Sequence, residues 1–362
     1  FAFIFIVQRI INNEKLNKNE VYFIISYHYI FIIISYLYSL LSVNDTDSFF
    51  QSAYFFGEYF NAVFHSNFNI VRIYYFLIYY LNLHYFTTFI FMGFFSSIGF
   101  ILIYYVFCKI TEDFNINRKL ILALILFPSW HFFTSFPSKD SIVLFATGWF
   151  YYLLIKKKYI PLIIPLVIIY AVRPHIYLIM LFSLIYISTN LAFFKIFKKK
   201  LLTVFFIFVL ATMMIMIIKF FLPNYYNHLF SFFERGQTFR NLYSNYYDGW
   251  YATGTNPLIN SVRYMFFPVA DYGSLSRIIV SVENNMLWII MLNCVLKFNF
   301  KSSVEIYSSE KLIYLFSLMF LVVGVLILSN YTANIGISSR QKWMLIPSLF
   351  IILFPLLSRK RL

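Results

Sequence analysis

Side chains able to do chemistry are scarce in this 362-residue chain, and they gather in a few short blocks. The first is Phe127-Pro128-Ser129-Trp130-His131-Phe132-Phe133-Thr134-Ser135-Phe136-Pro137-Ser138-Lys139-Asp140. Two prolines break a helix there and a Lys-Asp pair follows; ionisable groups beside a broken membrane helix are costly and usually functional. A plainer reading makes Ser138 a helix cap with Asp140 favourable in the first turn. The second block, Arg173-Pro174-His175, is the whole turn between two apolar runs. An arginine there can grip a lipid-linked diphosphate or snorkel to a lipid phosphate. His175 can titrate near neutral pH or serve as a hydrogen-bonded structural group. The third is Asn334-Ile335-Gly336-Ile337-Ser338-Ser339-Arg340-Gln341-Lys342, ahead of the last apolar run.

Scattered carboxylates complete the set. Asp45 and Asp47 form an Asp-x-Asp after the first long apolar run, and Glu283 with Arg277 flanks the start of another. Such an acidic pair can hold a divalent cation, supply a general base or cap a helix. Asp140, Asp45, Asp47 and Glu283 are the base candidates, and spacing alone does not choose among them. No HExxH, Walker A, GxGxxG, GxSxG or Cys/His cluster occurs. Zinc, ATP, nicotinamide and Ser-triad chemistry therefore lack support, and no cofactor is called for.

The elements that must position these groups are set by composition. The chain is 61% hydrophobic, 23% aromatic and 12% charged, about half the charge of a soluble domain, with mean hydropathy +0.75. Apolar runs near the ~20 residues that cross a bilayer recur along it. They fall at 21–43, 85–107, 120–136, 141–155, 159–172, 176–194, 201–222, 278–296, 312–329 and 343–357. The expectation is an all-α, polytopic transmembrane bundle of about 10–11 spans forming a single integral membrane domain over 1–362. Residues 44–84, aromatic and broken by Glu58, Asn61, His65, Arg72 and His84, read as interfacial helices. One large loop is expected at 223–277, with tyrosines, Trp250, Arg235, Arg240 and Arg263. Cys108 and Cys294 are too few for a disulfide framework. No cleavable signal peptide is visible.

Charge orients the expected bundle. With 9–20 on the cytoplasmic side, the Lys-rich hairpins 156–158 and 195–200 also fall there, as the positive-inside tendency requires. The net charge of +15 then sorts by type. Fifteen lysines and four arginines lie inside; three lysines (139, 219, 342) and seven arginines (72, 173, 235, 240, 263, 277, 340) lie outside or at the outer edge. Lysine suffices for topology, whereas arginine is favoured where a planar fork must grip phosphate or carboxylate. No basic patch sits in a soluble module, so nucleic acid is not an expected partner.

The Pro-Ser block ending in Lys-Asp at 128–140 resembles one recurring in bacterial polysaccharide repeat-unit polymerases, the O-antigen and capsule polymerases. So do Arg-Pro-His after a Lys-rich hairpin and a span, an arginine before a final Pro-containing span, and the layout over nearly the whole chain. The acidic Asp45/Asp47 segment is similar to one in membrane glycosyltransferases that use polyprenyl-phosphate donors. It departs from many polymerases, which carry two sizeable Arg-bearing loops. The resemblance implies a multi-pass protein of the bacterial inner membrane with its active face periplasmic. A glycan on undecaprenyl diphosphate would pass to a new lipid-linked repeat, and a chain-length regulator is an implied partner. Arg173, Arg340 and Lys139 are then expected on the diphosphate, with His175 beside them. Arg235, Arg240, Arg263 and Arg277 are second choices for diphosphate or glycan. The alternatives are a polyprenyl-phosphate-sugar glycosyltransferase and a lipid-linked glycan flippase or transporter.

Overall fold

A computed structural model describes residues 2–42, 45–55, 66–114, 116–190, 257–268, 275–296, 311–331 and 335–357. Among these residues the structure is all-helical. The helices are α1 (Ala2–Glu14), α2 (Lys18–Leu41), α3 (Asp45–Phe55), α4 (Ser66–Tyr75), α5 (Tyr85–Thr111), α6 (Arg118–Ile125) and α7 (Pro128–Ser135). They continue with α8 (Lys139–Ile155), α9 (Ile163–Val172), α10 (Pro174–Asn190), α11 (Pro257–Phe266), α12 (Leu275–Leu296), α13 (Lys311–Tyr331) and α14 (Ile335–Leu357). Four of the described stretches are long and apolar enough to cross a membrane: Lys18–Leu41, Tyr85–Thr111, Leu312–Asn330 and Ile337–Leu357. Shorter apolar helices cover Ile160–Val172, Pro174–Ile187 and Ile278–Cys294.

Helix α2 shows why this bundle belongs in lipid. It buries His28, Ser35 and Ser39 among its inward residues. It exposes Phe23, Ile30, Ile33, Leu37 and Leu41. A helix on a soluble protein would turn the apolar stripe inward and the polar face to water. Here the surroundings are the apolar phase, and the hydroxyls and imidazoles pair inside. His131 Nε2 donates to the Ile125 carbonyl at 3.0 Å, which leaves its Nδ1 to accept from His28 Nδ1 at 3.1 Å. Ser96 lies 2.7 Å from His28 Nε2 and ties in α5.

Three local devices position the chemistry. The run at 120–136, expected as one span, is two short helices with the break at Leu126-Phe127. Pro128 supplies no N–H and biases the residue before it away from helix, so it starts α7 at N1 instead of extending α6. Ser138 caps α8, its hydroxyl accepting from the Asp140 backbone N–H at 3.3 Å, which fixes Asp140 in the first turn. Arg173 ends α9 and begins α10: its N–H donates to Ile169 O at 2.6 Å and its carbonyl accepts from Ile176 and Tyr177. Pro174 follows as the first residue of α10, where its fixed φ suits the helix.

Helix α8 lies against α5 backbone to backbone. A Cβ on Gly99 would sit 2.8 Å from the Leu144 carbonyl, and one on Gly148 would sit 2.6 Å from Gly99 O. Close approach through small residues is how helices pack where water drives nothing. The segment 44–84, expected as interfacial helices, contains α3, α4 and a π-helical turn at Phe76–Tyr80. The loop expected at 223–277 ends in helix: α11 and the start of α12 fall inside it, and its residues 223–256 lie outside the described set. The span expected at 201–222 also lies outside it.

Candidate functional site

Asp140 is the centre of an ionic cluster built from four helices and the α9–α10 turn. Its carboxylate is 3% exposed, at the start of α8. Arg173 Nη2 donates to Oδ1 at 2.6 Å. Arg340, on α14, donates to Oδ2 from Nε and Nη2, both at 2.8 Å. The third arm of the Arg340 fork, Nη1, reaches Asp45 Oδ2 at 3.1 Å on α3. Asp45 is 67% exposed at its side chain, so it forms the open rim of the cluster. Lys139 stands within electrostatic range of Arg173, Asp140, Arg340 and Asp45, and His175 within range of Arg173, Lys139 and Asp140. Tyr264 of α11 is buried beside Arg173.

Three cations face two carboxylates here, so the cluster carries one positive charge in excess with His175 neutral. Lys139 and Asp140 precede the apolar run at 141–155. Burial by itself would raise the Asp140 pKa. The charges and hydrogen bonds of Arg340 and Arg173 outweigh it and hold the carboxyl below its ordinary value. Burial pushes Lys139 down to about 8, and the Arg173 and Arg340 charges push the same way against Asp140 and Asp45. Arg173 Nε is buried with no hydrogen-bond partner among the described residues, as are Arg263 Nη1 and the Tyr264 hydroxyl. A buried donor of this kind costs free energy unless a ligand or water takes it.

The other carboxylates are engaged elsewhere. Asp47 accepts from the Tyr85 hydroxyl. Glu283, on α12 and 2% exposed, accepts from Ser129 N–H at 2.7 Å and from the Ser129 hydroxyl, at the start of α7. Next to it, Asn284 accepts from Lys342 Nζ and donates to Pro268 O at 2.9 Å. Lys342 is thus a buried cation of α14 apart from the Asp140 cluster.

Asp45, Lys139, Asp140, Arg173, His175 and Arg340, picked out by residue type and spacing, gather at one place. Arg263 lies on α11 next to Tyr264. Arg277 falls in the first turn of α12 with its side chain outside the described residues, and Arg235 and Arg240 lie outside them altogether. Arg72 donates to Asn69 Oδ1 at 3.3 Å, while Asn69 donates to Ala171 O at 2.6 Å, so both brace the α9 end that carries Arg173. Among the described residues no group of three or more His, Cys, Asp or Glu is arranged to hold a metal ion. Sequence reasoning missed Tyr264, Asn284 and the His28–His131 pair; a polar residue interrupting an apolar run was the available signal.

A narrow slot opens beneath the cluster between α7, α8 and α14. Asp140 and Arg340 stand at its head, and Trp130 and Trp343 stack across it with ring centres 5.9 Å apart. No family model matches the sequence, and neither does any curated protein or any solved structure.

Proposed function

We propose that the Asp140 cluster binds the diphosphate of a polyprenyl-linked glycan, and that the chain is a membrane glycosyltransferase polymerising lipid-linked oligosaccharide repeats. The observation that carries this reading is the convergence of Arg173, Arg340 and Lys139 around one carboxylate. It leaves a net positive charge and an unspent Arg173 Nε donor. Arginine forks match phosphate oxygens two bonds at a time. The resemblance of the 128–140 block to repeat-unit polymerases supplies the substrate class.

In the proposed reaction the bond between the donor sugar's anomeric carbon and the diphosphate oxygen breaks, and the diphosphate leaves with the electron pair. The acceptor hydroxyl oxygen forms the new bond to that carbon, and its proton passes to a base. Arg173, Arg340 and Lys139 stabilise the charge that grows on the leaving diphosphate. Asp140 is a positioning residue, since guanidinium groups occupy both its oxygens. Glu283 and Asp47 are held by Ser129 and Tyr85. Asp45 is the best-placed base: it is exposed, with one oxygen on Arg340 and the other without a hydrogen-bond partner among the described residues. In this reading the face is outward: the positive-inside pattern supports that side, and the resemblance to repeat-unit polymerases supplies the bacterial inner membrane.

Binding tests the reading directly. Protein in nanodiscs should take up a polyprenyl diphosphate, detected by native mass spectrometry, and not the matching polyprenol. Arg340→Ala should remove the difference. Equal uptake of both lipids by the unaltered protein would end the proposal. The Asp45–Arg340 contact also favours a second reading, in which a polyprenyl-monophosphate sugar is the donor. A need for Asp45 together with a dispensable Arg173 would select it.

A further inference from the structure

We propose that Asp45 is an internal substitute for the substrate phosphate: it occupies one arm of Arg340 until a diphosphate takes that arm, and its release readies it as the base. The inference rests on the diphosphate reading and adds to it how the site is guarded before the lipid arrives.

The two carboxylates on Arg340 are unequal. Asp140 is 3% exposed and accepts from Nε and Nη2, both at 2.8 Å. Asp45 is 67% exposed and accepts from Nη1 alone, at 3.1 Å. An exposed ion pair gains little, because solvent screens it and the side chains lose freedom in forming it. A buried pair that loses one partner leaves a charge unsolvated, which is strongly unfavourable. An incoming anion therefore exchanges with Asp45 and leaves Asp140 in place. The displaced carboxylate turns into water, so neither ion is stranded.

Two further donors await the same ligand. Arg173 Nη2 is spent on Asp140, but Arg173 Nε is buried with no hydrogen-bond partner among the described residues. The Tyr264 hydroxyl, on a residue 3% exposed and within electrostatic range of Arg173, is in the same state. Arg340 Nη1, Arg173 Nε and the Tyr264 hydroxyl can all serve phosphate oxygens without giving up a bond to Asp140. Of the three, Arg340 Nη1 carries an anion in the free protein. Asp45 is thus the contact that the ligand must remove.

The fold lets Asp45 leave by itself. It is the first residue of α3. The rest of the α3–α4 unit is tied down separately. Asp47 accepts from the Tyr85 hydroxyl of α5, the Tyr74 hydroxyl donates to Pro137 O, and Asn69 donates to Ala171 O at 2.6 Å. These contacts hold the unit against the α7–α8 turn and the end of α9 while the Asp45 side chain swings. Before the lipid binds, Asp45 keeps other anions off Arg340 Nη1. After it binds, both Asp45 oxygens are free to accept. One then takes the proton of the acceptor hydroxyl as that oxygen bonds to the anomeric carbon, and the diphosphate leaves with the electron pair of the broken bond.

Titration of the nanodisc protein with undecaprenyl diphosphate, read by native mass spectrometry, tests the displacement. Asp45→Ala removes the competitor and should bind at least fivefold more tightly than wild type, while polymerisation falls at least 100-fold. Asp45→Asn keeps the side-chain size and should shift affinity the same way, which guards against an alanine variant that fails to fold. Asp47→Asn removes a charge from the same helix but not from Arg340, and should change affinity less than twofold. Wild-type or weaker affinity in both Asp45 variants, with the unaltered protein binding the diphosphate, would overturn the displacement and leave the substrate reading standing. An equal gain in Asp47→Asn would overturn it as well, since any lost negative charge would then suffice. Undiminished polymerisation by Asp45→Ala would overturn the release of a base. Uptake by neither the unaltered protein nor Asp45→Ala would overturn both the displacement and the substrate reading.

Discussion

Asp140 holds Arg173 by one carboxylate oxygen at 2.6 Å and Arg340 by the other at 2.8 Å, across 33 and 200 residues of sequence. This one side chain therefore sets the spacing between two guanidinium groups that come from the α9–α10 turn and from α14. The separation is fixed by rigid parts: the Ser138 cap, the Gly99–Gly148 crossing and the double hydrogen bonding of the Arg173 backbone. A site for a two-phosphate ligand needs such paired donors held before the ligand arrives.

Arginine geometry, and not charge alone, should matter. Arg173→Lys and Arg340→Lys keep the charge but lose the fork. Each should lower glycan polymerisation by about 100-fold or more, the loss of roughly 3 kcal/mol of transition-state stabilisation. Membrane insertion, checked by cysteine labelling of loops, should be unchanged. Wild-type rates in both variants would remove the forks from the reaction.

Asp140→Asn should destabilise the protein by about 1–3 kcal/mol, because Arg173 loses its carboxylate partner while Arg340 keeps only Asp45. Thermal unfolding in detergent measures this. The sign with pH follows from a folded pKa held below the ordinary carboxylate value of 3.8. The contribution is complete above that value and is lost as pH falls through the folded pKa. The gap between wild type and Asp140→Asn should therefore narrow on acidification and stay constant from pH 5 to 7.

Lys139, with its pKa near 8, should give diphosphate binding a pH dependence. The lysine is charged below that value and neutral above it, so affinity should fall as pH rises from 7 to 9. In Lys139→Arg the charge persists, and affinity should stay flat over the same range. A wild-type profile that matches Lys139→Arg would contradict this role.

Gly148→Val should disturb the site from a distance. Its side chain would meet the Gly99 carbonyl and push α8 off α5. Overpacking costs typically 1–3 kcal/mol. Because α8 carries Asp140 at its start, polymerisation should fall together with the unfolding temperature. Full activity at a lowered unfolding temperature would show that the Asp140 position tolerates this shift.

Much of the cluster was legible in the sequence, for a physical reason. A charge at a membrane edge needs a purpose, and arginine on the side that topology does not demand marks phosphate or carboxylate partners. Lys139, Arg173 and Arg340 stood out on that basis, Asp140 and His175 through the short blocks they share with them, and Asp45 through its Asp-x-Asp. Their division of labour did not. Asp140 reads as a base from its type, while only the coordinates reveal that both its oxygens are occupied. Tyr264 was illegible because a neutral polar atom barely alters an apolar run; its importance lies in what it fails to pair with. The prolines signalled a break, yet 120–136 reads as one span because hydropathy runs smoothly across Pro128 while the backbone cannot.

The central claim is most directly tested by a surface-glycan gel from the host with this gene deleted, complemented with wild type, Arg173→Ala or Arg340→Ala. The account predicts a full ladder with wild type, and a core bearing a single repeat in the deletion and in both variants. Loss of even the single repeat in the deletion would put the chain at an earlier step and contradict the account. A full ladder from either arginine variant would contradict the site.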